Sequence, residues 1–236
     1  IKIVGYRIYQ SKLVCDLKKI AKYDNICEKV AVKLLLGGNF MCGIVGYIGS
    51  SNAIDIILNG LETLEYRGYD SSGIAFLDNN KIDVVKTVGR ISNLREKLES
   101  EYKNKISNIG VGHTRWATHG VPSNENSHPH LSMNSKFAVV HNGIIENYLL
   151  LKEELLKKNF VFKSETDTEV IPQLLEDLDD GDFLSTVFKM RNKVKGSYAF
   201  GILRQDTNEL IGTRKESPLI VGIGDGEFYI ASDVIA

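Results

Sequence analysis

Short apolar runs, broken by glycine and turn residues, stand at both ends of residues 42–236, and helical periodicity fills the stretch between them. That order constrains the fold more than any single residue does. The run Gly43-Ile44-Val45-Gly46-Tyr47-Ile48 reads as a buried strand. Ile54, Ile57, Leu58, Leu61 and Leu64 recur at helical spacing, which predicts a helix over 53–65. Residues 73–77 and 82–86 read as a hairpin around Asp78-Asn79-Asn80. Ser92 is an expected cap for a helix running to about Tyr102. Strands are expected over 109–114 and 137–141. Helices are expected over 148–158, with Leu151, Leu155 and Leu156 inward, and over 169–178 and 182–193. Four further strands, at 198–203, 210–213, 219–223 and 228–231, are separated by turn residues and so favour antiparallel pairing. Strands at both ends with helices between them argue for an α+β fold, with helices covering antiparallel sheets.

Residues 1–41 do not share this grammar. They carry several Lys, two Cys and scattered apolar residues, with a weak amphipathic pattern from Leu13 to Leu36. No Met precedes Met41, and the residue after it is small. Gly37-Gly38-Asn39-Phe40 is a sequence that a purine-rich ribosome-binding site would encode if translated. We therefore expect 1–41 to be an extension, from read-through or a removed propeptide; as read-through it should pack nowhere on the domain at 42–236. The far end, Ser232-Asp233-Val234-Ile235-Ala236, reads as truncated before further domains. The net charge is -1, which leaves no electrostatic footprint for nucleic acid or a membrane surface. Three cysteines, an odd number without metal-type spacing, fit a reducing cytoplasm.

Cys42 is the first residue with chemistry to offer. With Met41 gone, its thiol and its α-amine belong to one terminal residue. A thiol with a pKa near ~8.5 beside an amine near ~7.7–8.0 gives a nucleophile its own base at neutral pH. A lone Cys is otherwise best read as a packed core residue. What shifts the balance is a set of polar segments with no packing role: Glu65-Tyr66-Arg67-Gly68-Tyr69-Asp70-Ser71, His113-Thr114-Arg115-Trp116-Ala117-Thr118-His119-Gly120, Asn126-Ser127-His128-Pro129-His130, His141-Asn142-Gly143-Ile144-Ile145-Glu146-Asn147 and Ser164-Glu165-Thr166-Asp167-Thr168-Glu169. Each is expected where a strand or helix ends, which is where sites are built. A metal pair at His128 and His130 lacks an acid or Cys at ligand spacing, so no metal and no cofactor is expected, and His130 and His141 are read as structural. Trp116 is read as core or pocket wall. Asp167, just before a helix, could serve merely as an N-cap.

With Cys42-Gly43-Ile44-Val45-Gly46, these segments in this order resemble the class II glutamine amidotransferases. Within them they resemble the branch that passes ammonia to fructose 6-phosphate. The likeness covers nearly all of 42–236. It implies the N-terminal nucleophile fold, a four-layer αββα sandwich of two antiparallel sheets between helices. It implies Cys42 as nucleophile, with the Asn142 amide and the Gly143 N–H as the oxyanion hole. Arg115 matches the residue that binds the substrate carboxylate, and Asp167 the one that binds its ammonium. Thr118, His119 and His128 match pocket residues, and Arg67 a site-lining residue near the nucleophile. L-glutamine is the implied substrate, fructose 6-phosphate enters only through the missing C-terminal domains, and the full-length relative is implied to be a homodimer. Two alternatives stay open. One is the amidophosphoribosyltransferase branch, which shares the Cys-Gly-Ile start. The other is a silent glutamine-binding module, if the extension stays and ties the Cys42 nitrogen into a peptide bond.

Overall fold

A computed structural model of the chain describes residues 6–9, 12–14, 42–117 and 119–236, and for the first two segments the backbone alone. The strands are β1 (Tyr6–Tyr9), β2 (Lys12–Val14), β3 (Gly43–Ile48), β4 (Ser71–Asp78), β5 (Lys81–Val88), β6 (Ile109–Arg115), β7 (His130–Leu131), β8 (Phe137–Ile145), β9 (Gly196–Arg204), β10 (Glu209–Lys215), β11 (Ile220–Ile223) and β12 (Phe228–Ala231). The helices are α1 (Ala53–Thr63), α2 (Ile91–Glu101), α3 (Tyr148–Leu156), α4 (Val170–Leu178) and α5 (Phe183–Lys193), with a 3₁₀ turn at Glu65–Arg67.

The strands form two antiparallel sheets, ordered β2-β1-β10-β9-β8-β7 and β11-β12-β3-β6-β4-β5. Period-2 alternation builds the layers. On β9, Tyr198, Phe200 and Ile202 face a core closed by α3, α4 and α5. Ala199 and Leu203, between them, face the other sheet. On β3, Ile44 and Ile48 enter that same central layer. Val45 and Tyr47 turn outward, into a core capped by Ile54, Ile57, Leu58 and Leu61 of α1 and by Ile91, Leu94 and Leu98 of α2. The result is the four-layer αββα sandwich. Gly201 lets the sheets approach, because a Cβ there would lie 2.8 Å from Val111 Cγ2. The β4–β5 turn places Asn79 at φ 49° and Asn80 at φ 60°, the two positive angles a two-residue type I′ hairpin demands.

Several expectations are corrected. The helix predicted from Ser92 begins at Ile91, with Arg90 at the cap position and no side-chain cap bond, so Ser92 lies inside it. Leu156 is 50% exposed rather than inward. β8 runs four residues past His141, because its pairing with β9 continues to Ile145↔Gly196. Asn142 and Gly143 therefore lie within a strand, not beyond its end. The expectation that 1–41 packs nowhere is not met at residues 6–9, which pair with β10, nor at 12–14, which pair with β1. Leu13 and Val14 are strand rather than helix, and the rest of that amphipathic stretch lies outside the described residues. No helix among the described residues is long and apolar enough to cross a membrane.

Candidate active site

Cys42 sits one residue before β3, which is paired on both sides, to β6 and to β12. Side chains tighten the start of the strand. The Gly43 N–H donates to Thr114 Oγ1 at 3.0 Å, and the Ile44 N–H to Ser232 Oγ at 3.0 Å. The Ser232 N–H in turn donates to the Ile44 carbonyl at 3.0 Å. Cys42 is thus held at the start of a strand bonded on both edges. Its sulfur accepts the Trp116 N–H at 3.2 Å. Burial pushes the thiol above its usual value, while that N–H and the Arg115 charge pull it back. A thiol in that state calls for a base.

Two donors reach the Cys42 carbonyl: Asn142 Nδ2 at 2.8 Å and Arg67 Nη1 at 3.4 Å. A primary amide carries two N–H groups, so Asn142 keeps a second one for the pocket. The next residue, Gly143, has φ 128°, and a Cβ there would collide with the Ser197 carbonyl. Only glycine fits, and it brings the β8 backbone to the pocket wall beside the amide.

The pocket, about 250 Å³, is lined by Cys42, Arg115, Trp116, His119, His128, His141, Asn142, Gly143, Ile144, Thr166, Asp167, Thr168 and Ser217. Its two charges are opposite and buried. Arg115 is 4% exposed. Its Nη2 donates to the His119 and Gly120 carbonyls, whereas its Nη1 has no hydrogen-bond partner and lies 3.9 Å from Asp70 Oδ1. A buried guanidinium nitrogen without a partner is costly unless a ligand supplies one. Asp167 is not an N-cap, since α4 begins at Val170. Its Oδ2 instead accepts the Ile145 N–H at 2.8 Å. Burial pushes its carboxyl up and the Ile145 N–H holds it down.

Behind the pocket lies a cluster of four buried histidines. His113 stacks on His128 with ring centroids 4.2 Å apart, and His130 meets His128 edge-on at 4.8 Å. Burial holds all four neutral: His113 is lowered to about 4, His141 to about 3, and His128 and His130 well below their usual range. Thr168 Oγ1 donates to Asp167 Oδ1, so its lone pair must accept from His141 Nδ1 at 2.8 Å. His141 thereby helps to orient Asp167. Among the described residues, no group of three or more His, Cys, Asp or Glu is placed to hold a metal ion.

A family model for the glutamine amidotransferase domain matches residues 113–236. The chain belongs to the glutamine amidotransferase family. A curated glutamine–fructose-6-phosphate aminotransferase (isomerizing) from Caldanaerobacter subterraneus subsp. tengcongensis is 56% identical over 197 residues, 83% of this chain and 32% of that protein. Its counterpart from Clostridium perfringens is 54% identical over 198 residues, with the same coverage. The chain thus spans about a third of the length of these relatives. Among solved structures, glutamine phosphoribosylpyrophosphate amidotransferase from B. subtilis, complexed with ADP and GMP, superposes with a TM-score of 0.70 at 28% identity. That match covers 81% of this chain and 42% of the other.

In this chain the structure brings together seven of the nine residues expected at the site: Cys42, Arg115, His119, His128, Asn142, Gly143 and Asp167. Arg67 touches the nucleophile's carbonyl from outside the pocket and is ion-paired with Asp233. Thr118 lies outside the described residues. Trp116 is pocket wall, 40% exposed. Sequence reading passed over Ser217, which enters from the loop after β10 and carries no motif. It quoted Thr166, Thr168 and His113 within motifs without giving them roles. His141, read as structural, is among the residues that line the pocket.

Proposed function

We propose that this domain hydrolyses L-glutamine to glutamate and ammonia. The Cys42 sulfur attacks the side-chain amide carbon, and the carbonyl electrons move onto oxygen. Asn142 Nδ2–H and the Gly143 N–H stabilise that oxyanion. Its collapse expels the amide nitrogen, protonated, as ammonia, and leaves a γ-glutamyl thioester on Cys42, which water then cleaves to glutamate. Arg115 Nη1 takes the substrate α-carboxylate, and Asp167 takes the α-ammonium. The free α-amine of Cys42 moves the proton, which requires that the working chain begin at Cys42.

One observation carries this: a single cavity contains a cysteine sulfur, an amide N–H beside it, an arginine nitrogen without a hydrogen-bond partner among the described residues and a buried carboxylate. The pattern matches the two ends and the reacting amide of one amino acid. The names of relatives at 54–56% identity support fructose 6-phosphate as the ammonia acceptor in a longer protein, in preference to the phosphoribosyl branch at 28%; a cytoplasmic homodimer belongs to the same reading.

The test compares the chain beginning at Cys42 with the chain retaining residues 1–41. The first should release ammonia from glutamine and show a 5-glutamyl adduct on Cys42 by mass spectrometry, and Cys42→Ala should do neither. The second should bind glutamine without turnover, because an amide nitrogen is no base. Full-rate turnover by the extended chain would overturn the terminal-amine mechanism, and undiminished turnover by Cys42→Ala would overturn the nucleophile.

A further inference from the structure

Asn142 can serve an oxyanion only if its amide faces one way. Turned by half a rotation, it would present Oδ1 to the Cys42 carbonyl and to the developing negative charge. Something must therefore set its polarity. His113, on β6 of the other sheet, reaches across the central layer, and its Nε2 lies 2.9 Å from Asn142 Oδ1 and 2.9 Å from the His141 carbonyl oxygen. A backbone carbonyl only accepts. Nε2 must therefore carry the ring proton, and whatever Asn142 atom faces it must accept as well. That atom is Oδ1, so Nδ2 is directed to Cys42. The other ring nitrogen, Nδ1, is buried with no hydrogen-bond partner, as expected of a ring holding its single proton on Nε2. His128, stacked on the ring, opposes its rotation, and His128 Nδ1 is itself fixed by the His141 N–H at 3.3 Å.

We propose that His113 is a positioning residue, whose Nε2–H sets the orientation of the Asn142 amide and so assembles the oxyanion hole. This rests on the oxyanion role assigned to Asn142 above. His113 touches neither substrate nor sulfur, and its effect passes through one side chain.

Four measurements on the native, processed protein test this. Glutaminase kinetics should show His113→Asn, which lacks the reach of Nε2, losing about tenfold or more in kcat with KM for glutamine within about twofold. His113→Gln, whose amide nitrogen can stand where Nε2 stands, should recover most of that loss. In an Asn142→Ala background, either change at His113 should have no further effect on kcat. Nitrogen NMR of the unaltered protein should find the His113 proton on Nε2. Three results would overturn the proposal: an equal kcat loss with and without Asn142, a kcat deficit in His113→Gln as deep as in His113→Asn at unchanged Tm, or a proton on Nδ1. If His113→Asn does not fold, His113→Gln in both backgrounds still decides. An unaltered protein that cannot cleave glutamine refutes the function instead, and the NMR result then still judges the geometry alone.

Discussion

Arg115 brings a full charge to a place that is almost closed to water and leaves one of its nitrogens unbonded. Asn142, on β8 in the lining of the same pocket, is neutral and already half engaged with Cys42. The two should fail differently. Arg115→Ala removes a charge partner that the substrate needs from the moment of binding, so KM should rise, by on the order of 100-fold if a desolvated pair is worth a few kcal/mol. Arg115→Lys should rescue little, since a point charge does not replace the planar fork. Asn142→Ala should lower kcat by about 10²–10³ and leave KM nearly unchanged, because the charge it serves exists only in the transition state. Steady-state kinetics separates the two. A raised KM with intact kcat in Asn142→Ala would refute the oxyanion role. Residues of this kind were legible in the sequence because chemistry demands side-chain types that packing does not: an Arg and an Asp with no apolar neighbours to serve. His113 was not legible as a positioning residue. Its partner lies on the opposite sheet, and no spacing along the chain encodes a contact made across two layers.

The segment between α3 and α4 carries both Asp167 and the carboxylate that fixes the loop around it. Glu169 is 4% exposed, and its carboxylate accepts the Lys163 N–H, the Ser164 N–H and the Ser164 hydroxyl. These bonds fasten the loop that presents Asp167. Hydrogen bonds to a charged acceptor are worth about 1.5–3 kcal/mol each, so Glu169→Ala should lower Tm and raise KM for glutamine together. Thermal melts and kinetics on the one variant check both, and a lower Tm with KM unmoved would show that the loop holds its shape without the carboxylate. Gly143→Ala should cost both folding and turnover, because the Cβ meets backbone rather than a movable side chain. Most strands of 42–236 were readable as short apolar runs between turn residues, whereas β1, β2 and the two-residue β7 were not. Nor were the ends of the strands. β8 continues through Asn142 and Gly143 because β9 offers backbone partners there, and α2 starts at Ile91 without the cap that Ser92 suggested. Such limits are set by neighbours in space.

For the molecule as a whole, the four neutral histidines couple folding to pH. Their native pKa values lie below the ordinary 6.5, at about 4 for His113 and about 3 for His141. As pH falls below 6.5 the unfolded chain takes up protons that the native state refuses. Stability should thus be fully present above about pH 6.5 and decline below it, the share from His113 and His141 being lost in full only once those rings protonate in the native state, at about 4 and about 3. Tm should fall by several degrees between pH 7 and pH 5, since even 1 kcal/mol moves a domain of this size by about 2–4 °C. A flat Tm over that interval would mean that the rings are charged or hydrated in the native state. The placement of β3 bears on time rather than on energy. Chain ends are ordinarily the loosest part of a protein, yet here the residue proposed to need a free amine directly precedes a strand zipped on both edges. One edge, β12, is made only after nearly the whole domain has been synthesised. Under the proposed mechanism, a peptidase that frees Cys42 has an appointment to keep: it meets a slack, accessible chain while the ribosome is still at work, and a locked seam once β12 arrives.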